Sequence, residues 1–168
     1  MVISTADLSD EFGENLGYCG TPFRQYGHRR IFDGPIATVR CFEDVGLVRT
    51  LLGSPGRGAV LVVDGGGSVR VALLGDLMAQ LAIDNGWVGV IINGAVRDTA
   101  RLTGMDLGVK ALHSSPRRGS RNGGGETNVP VTFGGATFQP GGLLFSDEDG
   151  IVVQGVGPAP AVSPYGVR

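Results

Sequence analysis

Along the chain, apolar and polar positions follow two different periods, and each change of period marks an element. Between residues 76 and 85, Leu77, Ala79, Leu81, Ala82 and Ile83 recur at helical spacing. This predicts a helix with Asp76 in its first turn and Gly86 as the residue that ends it. Residues 87–92 form a nearly continuous apolar run, the pattern of a strand buried on both faces. A helix of about ten residues covers roughly 15 Å and a strand of about six returns roughly 20 Å, so the two lengths nearly cancel. Residues 93–98 are therefore expected beside Gly75 and Asp76, at the edge where strand C-termini face helix N-termini and open α/β sheets bind ligands.

The remaining segments fit around this unit. Cap residues and acids predict a short helix over 6–13, residues 18–30 show no clear period, and 32–42 read as a turn followed by a β-rich strand. A helix over 44–52 leads to a buried strand over 59–63 and a glycine-rich turn at 64–67, with Asp64 read as a turn former. A short helix is expected over 99–103 with Asp98 as its N-cap, then a strand over 108–112. Residues 113–125 are basic and glycine-rich and predict a mobile loop that could attract a dicarboxylate or an acidic partner. Short strands over 128–133, 136–138, 143–146 and 151–153 follow, the last two joined by an acidic turn at 147–150. The expectation is an α/β fold with a mixed sheet, one domain over 1–155 and a Pro/Gly-rich tail over 156–168.

Composition removes several function classes. A net charge of -2 over 168 residues argues against a nucleic-acid binder. No apolar run reaches the roughly 20 residues of a membrane span, and the first residues lack the pattern of a signal peptide, so a soluble cytoplasmic protein is expected. Cys19 and Cys41 stand apart, as do His28 and His113, which disfavours a disulfide, a zinc site and a Ser-His-Asp triad. The sole lysine, Lys110, lies in a strand-like segment, which makes a Schiff-base aldolase a poor fit. Neither glycine stretch, 53–58 or 65–67, has the ending of a P-loop, so nucleotide cofactors are not indicated.

What remains is oxygen-ligated metal chemistry. Asp98 offers the kind of ligand Mg²⁺ prefers, and Asp76 is placed to orient water on such a cation. Arg97 offers a planar fork for a carboxylate or an enolate oxygen, with the amides of Gly75, Asp76, Leu77 and Met78 as a second anion cradle. A structural Arg/Asp pair capping helices at a sheet edge is the competing reading.

Asp76 followed after 20 residues by Arg97-Asp98, set within Gly75-Asp-x-x-Ala79 and Asn93-Gly-Ala-Val-Arg-Asp98, resembles the RraA-like family. That family groups the regulator of ribonuclease E activity with class II 4-hydroxy-4-methyl-2-oxoglutarate aldolases. The likeness extends through Thr5-Ala-Asp-Leu8, Phe32-Asp-Gly-Pro-Ile-Ala-Thr-Val-Arg40, Val62-Val-Asp-Gly65, Ser115-Pro-Arg-Arg118 and Asp147-Glu-Asp-Gly-Ile-Val-Val153. It implies a swivelling β/β/α fold and a homotrimer with sites between subunits. It also implies Mg²⁺ or Mn²⁺ on Asp98, with Arg97 and Asp76 as catalytic residues. Gly75, Asp76, Leu77, Met78 and Arg97 would contact a 2-oxo acid, which is cleaved by retro-aldol reaction or, for oxaloacetate, decarboxylated through a pyruvate enolate. The alternative it implies is a non-catalytic regulator that binds and inhibits ribonuclease E-type RNA degradation machinery.

Overall fold

The computed structural model describes residues 3–156; the expected tail over 156–168 lies outside them but for Val156. In chain order the elements are α1 (Thr5–Phe12), β1 (Gly17–Cys19), β2 (Arg24–Gln25), β3 (Phe32–Arg40), α2 (Gly46–Leu52), β4 (Val60–Asp64), α3 (Asp76–Asp84), β5 (Gly89–Val96), α4 (Thr99–Leu102), β6 (Gly108–Ser114), β7 (Glu126–Thr127), β8 (Val131–Phe133), β9 (Ala136–Phe138), β10 (Leu143–Ser146) and β11 (Ile151–Gln154). A mixed sheet of nine strands follows the order β1-β11-β10-β3-β4-β5-β6-β2, with β7 on β3. Strand β3 serves two neighbours in succession: Phe32 to Pro35 pair antiparallel with β10, and Ile36 to Arg40 pair parallel with β4. The parallel order β3-β4-β5-β6 brings the C-terminal ends of these strands to one edge.

Period-two alternation sorts the side chains into two layers. Leu61 and Val63 of β4 and Val90 and Ile92 of β5 pack with Val48 and Leu52 of α2 and Ala79 and Ala82 of α3. Val60, Val62 and Ile91 face the other way, onto Val131, Ala136 and Phe138 of the β8–β9 hairpin. Each fully buried aliphatic side chain of this kind contributes about 1.5–3 kcal/mol relative to exposure. The resulting layers are hairpin, sheet and helices, the β/β/α arrangement expected.

Phe32 is seated in a slot made by two glycines. Gly89 and Gly108 are register partners on β5 and β6, and a Cβ on either would lie within 2.5 Å of the Phe32 ring. On the outside of β10 and β11, Leu8 of α1 meets Phe145 and Val152. The buried Asp147 carboxylate fixes that helix by accepting from the Thr5 N–H and Oγ1, both at 2.7 Å, while also accepting from the Asp149 N–H at 2.9 Å. Asp147 is thus a turn former, its oxygens occupied by the backbone around it. Lys110 is buried on β6 and donates to the Asp147 carbonyl at 2.5 Å; burial pushes its pKa down.

Two boundaries differ from expectation. The strand expected over 87–92 runs instead from Gly89 to Val96. Trp87 closes α3: its N–H donates to the Ala82 carbonyl and its indole to the Ser54 carbonyl, both at 3.0 Å, while Gly86 takes φ 80°. Residues 93–96 stay extended because Ala95 and Val96 pair with His113 and Ser114 beyond an irregularity after Ile92. Within 113–125, expected to be mobile, Ser115 and Gly119 are buried and the backbone is bonded on two sides: Ala72 exchanges hydrogen bonds with Arg117 and Gly119, and Ser120 with Glu43 and Val45. Its partners are backbone groups far away in sequence, which local composition does not display.

Candidate active site

At the C-terminal edge of the parallel strands lies a cavity of about 200 Å³. Helix α3 leaves this edge and β5 returns to it, so the lengths do cancel: the Arg97 N–H donates to the Leu74 carbonyl at 2.9 Å, and the Asp76 N–H to Asp98 Oδ2 at 3.1 Å. Gly75, Asp76, Leu77, Met78, Arg97 and Asp98 all line the cavity. The space beside Gly75 is filled by its partners: a Cβ there would lie 2.6 Å from Asp98 Oδ2 and 3.2 Å from Arg97 Nε.

Asp98 precedes α4 in the left-handed region, φ 55° and ψ 39°, and its side chain makes no capping bond to that helix. A capping side chain needs an extended backbone; the left-handed turn sends this carboxylate to the first amide of α3 instead. Oδ2 also lies 3.8 Å from Arg97 Nε, and Oδ1 accepts no hydrogen bond from the described residues. Arg97 and Asp98 side chains are 37% and 36% exposed, open to the cavity and not sealed in the core. Asp76 is more enclosed, at 17%, and pairs with Arg101 from α4. The Arg101 hydrogen bond, against the opposing effect of desolvation, holds the Asp76 carboxyl below its ordinary value. Among the four amides expected to form an anion cradle, those of Asp76 and Leu77 already donate to the Asp98 and Asp76 carboxylates, at 3.1 and 2.8 Å. Those of Gly75 and Met78 have no acceptor among the described residues.

Leu77, expected on the covered helical face, is 81% exposed at the lip of the cavity. Ala79 and Ala82 define the buried face, and Leu77 sits about 160° around the helix from Ala79. Three further guanidiniums, Arg49 of α2 and Arg118 and Arg121 of the 115–123 segment, complete the wall. The cavity therefore carries four arginines against two aspartates. Desolvation, followed by the like charges of Arg121, Arg97 and Arg49, pushes the Arg118 pKa down. The sequence signalled only a basic run at 117–121; Arg49 and Arg101 carried no signal, since each reaches the site through tertiary apposition. Lys110 is not among the lining residues.

A divalent cation here would have to be held by this donor set. Among the described residues no three His, Cys, Asp or Glu side chains gather around a common point. Mg²⁺ keeps several waters and takes as few as one or two protein carboxylates, and Asp98, with Oδ1 uncommitted and Asp76 beside it, fits that requirement. Asp64, by contrast, spends Oδ1 on the Gly66 N–H and the Asn93 amide, as a turn former does.

The chain matches the family model described as RraA-like, Aldolase/RraA, over residues 5–153. It is 48% identical to a solved structure from Geobacillus kaustophilus named S-adenosylmethionine:2-dimethylmenaquinone methyltransferase, with a TM-score of 0.87 over 90% of this chain and 94% of that one. It is 43% identical to the RNA-processing inhibitor RraA from Thermus thermophilis, with a TM-score of 0.89 over 92% and 93%. Streptomyces coelicolor RraAS2, at 24% identity and a TM-score of 0.73 over 90% and 81%, shares the fold.

Proposed function

Given that the chain belongs to the RraA-like family, we propose that it is a carbon–carbon lyase dependent on Mg²⁺ or Mn²⁺. In this reading it cleaves 4-hydroxy-4-methyl-2-oxoglutarate-type 2-oxo acids, decarboxylates oxaloacetate, or both. The observation that carries the reading is the meeting of Arg97, Asp98 and Asp76 at the N-terminus of α3 in one arginine-rich cavity. The 2-oxo acid end is seated by the Arg97 fork and bordered by Gly75, Asp76, Leu77 and Met78, of which Gly75 and Met78 have amides to spare. Asp98, with Asp76 beside it, would hold the cation, which supplies Lewis-acid stabilisation of negative charge on the keto oxygen. Breaking the C3–C4 bond leaves its electron pair on the 2-oxo fragment as the pyruvate enolate, which Arg97 faces. The other fragment departs as carbon dioxide or, with its hydroxyl proton lost, as a carbonyl compound, and C3 then takes a proton from water. Preorganised donors of this kind contribute several kcal/mol because they need no reorganisation as the charge develops. Arg101 keeps Asp76 ionised and in place.

The test is Arg97→Ala with Asp98 intact. Metal-dependent oxaloacetate decarboxylation is expected to fall by about 10²–10³-fold while the thermal unfolding midpoint holds. Unchanged turnover removes the role. Assembly as a homotrimer belongs to the same reading; Leu77, exposed at the lip, supports a neighbouring subunit there, and sedimentation measures it.

Regulation of a ribonuclease E-type enzyme is the second reading, favoured by the 43% identity to an RNA-processing inhibitor across nearly its whole length. Pull-down with a ribonuclease E scaffold segment, alongside oxaloacetate turnover, separates the two. A methyltransferase reading has less support: a cavity with four guanidiniums against two carboxylates opposes the positively charged sulfonium of S-adenosylmethionine.

A further inference from the structure

Asp44 is buried, outside the cavity, and its carboxylate is fully committed. Oδ1 accepts the N–H groups of Gly46 and Gly123, both at 2.9 Å, and Oδ2 accepts the Asn122 N–H at 2.7 Å and the Ser120 hydroxyl at 2.5 Å. Backbone bonds flank it, from the Val45 N–H to the Ser120 carbonyl and from the Ser120 N–H to the Glu43 carbonyl, each 2.8 Å. The contact is tight enough to exclude side chains: a Cβ on Gly46 would lie 2.5 Å from Gly123 Cα, and one on Gly119 2.7 Å from the Glu43 carbonyl oxygen. One carboxylate thus clamps the 119–123 segment to the chain entering α2. Arg118 and Arg121 belong to or adjoin that segment, and Arg49 lies on the last turn of that short helix. Among the described residues none of these three arginines has a carboxylate within salt-bridge distance, whereas Arg29, Arg30, Arg40, Arg70 and Arg101 all do.

Three unneutralised guanidiniums lining one cavity, in addition to the arginine that stands beside its two carboxylates, describe a ligand with two acid groups. We infer that Asp44 is a positioning residue that gathers Arg49, Arg118 and Arg121 into a second anion subsite, which takes the far carboxylate of a 2-oxo diacid. The inference rests on the reading above that the 2-oxo end sits at Arg97. Asp44 does not itself reach the ligand. It acts by fixing the backbone from which the arginines extend, so that less side-chain ordering is left to the binding step.

The experiment compares 2-oxoglutarate with 2-oxopentanoate, which differ in the far carboxylate, by calorimetric titration of the full chain with Mg²⁺ present. The wild-type protein is expected to bind the diacid at least about tenfold more tightly, the worth of one or two charge-assisted hydrogen bonds. Arg121→Gln and Arg49→Gln are expected to bring the ratio of the two affinities toward one. Asp44→Asn, which turns an amide donor toward N–H groups, is expected to do the same from a position that touches neither ligand. Should that variant fail to fold, Ser120→Ala removes a single bond to Asp44 and is expected to lower the ratio partway. Equal affinities in the wild type, or an Asp44→Asn protein that loses both ligands in equal measure, overturns the inference. A wild-type protein that turns over no oxaloacetate yet keeps the ratio supports the subsite while removing the lyase reading.

Discussion

Gly75 has an unremarkable backbone, φ -132° and ψ -170°, so its lack of a side chain matters for space alone. The Asp98 carboxylate and the Arg97 side chain occupy the volume a methyl group would need. Gly75→Ala is therefore expected to leave the unfolding midpoint within a few degrees of wild type. It should lower kcat/KM for oxaloacetate by about tenfold or more, because a displacement near 1 Å at reacting groups costs up to about 10²-fold. Steady-state kinetics beside a thermal melt reads both quantities. Asp98 makes the complementary point. Its left-handed backbone is one that aspartate tolerates better than most residues, and that conformation decides which helix its carboxylate serves. Its place ahead of 99–103 predicts a cap on α4; the structural use of its oxygens lies on α3 instead, where only Oδ2 is engaged.

Among the elements, the stretch where β5 and β6 pass over Phe32 leaves no room for added volume. Gly108→Ala places a methyl group 2.2 Å from a ring carbon that is itself enclosed, and is expected to cost about 1–3 kcal/mol in urea unfolding, the usual range for overpacking. Helix α1, packed through Leu8, is tied to the acidic turn by one carboxylate. Burial opposes ionisation of Asp147, yet the Thr5 N–H and hydroxyl and the N–H groups of Asp149 and Gly150 outweigh it and hold its pKa below the ordinary value. Its stabilisation is therefore complete above the unfolded value of about 3.9 and fades as pH falls through the lower folded one. The gap in unfolding midpoint between wild type and Asp147→Asn is expected to be widest near neutrality and to close in that acid window. Legibility follows the same division. The unit from Asp76 to Asp98 could be read because its helix, strand and charges are contiguous, so arithmetic on lengths brings its ends together. The cavity's other wall could not, because the chain around Asp44 meets the 115–123 segment through bonds to the Asp44 carboxylate and the backbone across more than 70 residues. Hydrophobicity alone places Trp87 in the strand, whereas its indole N–H and backbone N–H belong to the helix exit.

At the scale of the molecule, one parallel edge collects the strand ends, the start of α3 and the arginine wall, while the opposite face of the sheet is sealed by the β8–β9 hairpin. No helix of the described residues is long and apolar enough to cross a membrane. The placement of Lys110 has a practical corollary. It is the one ε-amine in 168 residues, sealed on β6 with its ammonium turned to the carbonyl of residue 147. An acylating reagent can reach it only when the strand or the acidic turn has opened, so the mass gained at residue 110 in native buffer works as a clock for that opening. Peptide mass spectrometry is expected to find the site nearly silent in the intact protein, quickened by urea, and faster in Asp147→Asn than in the wild type.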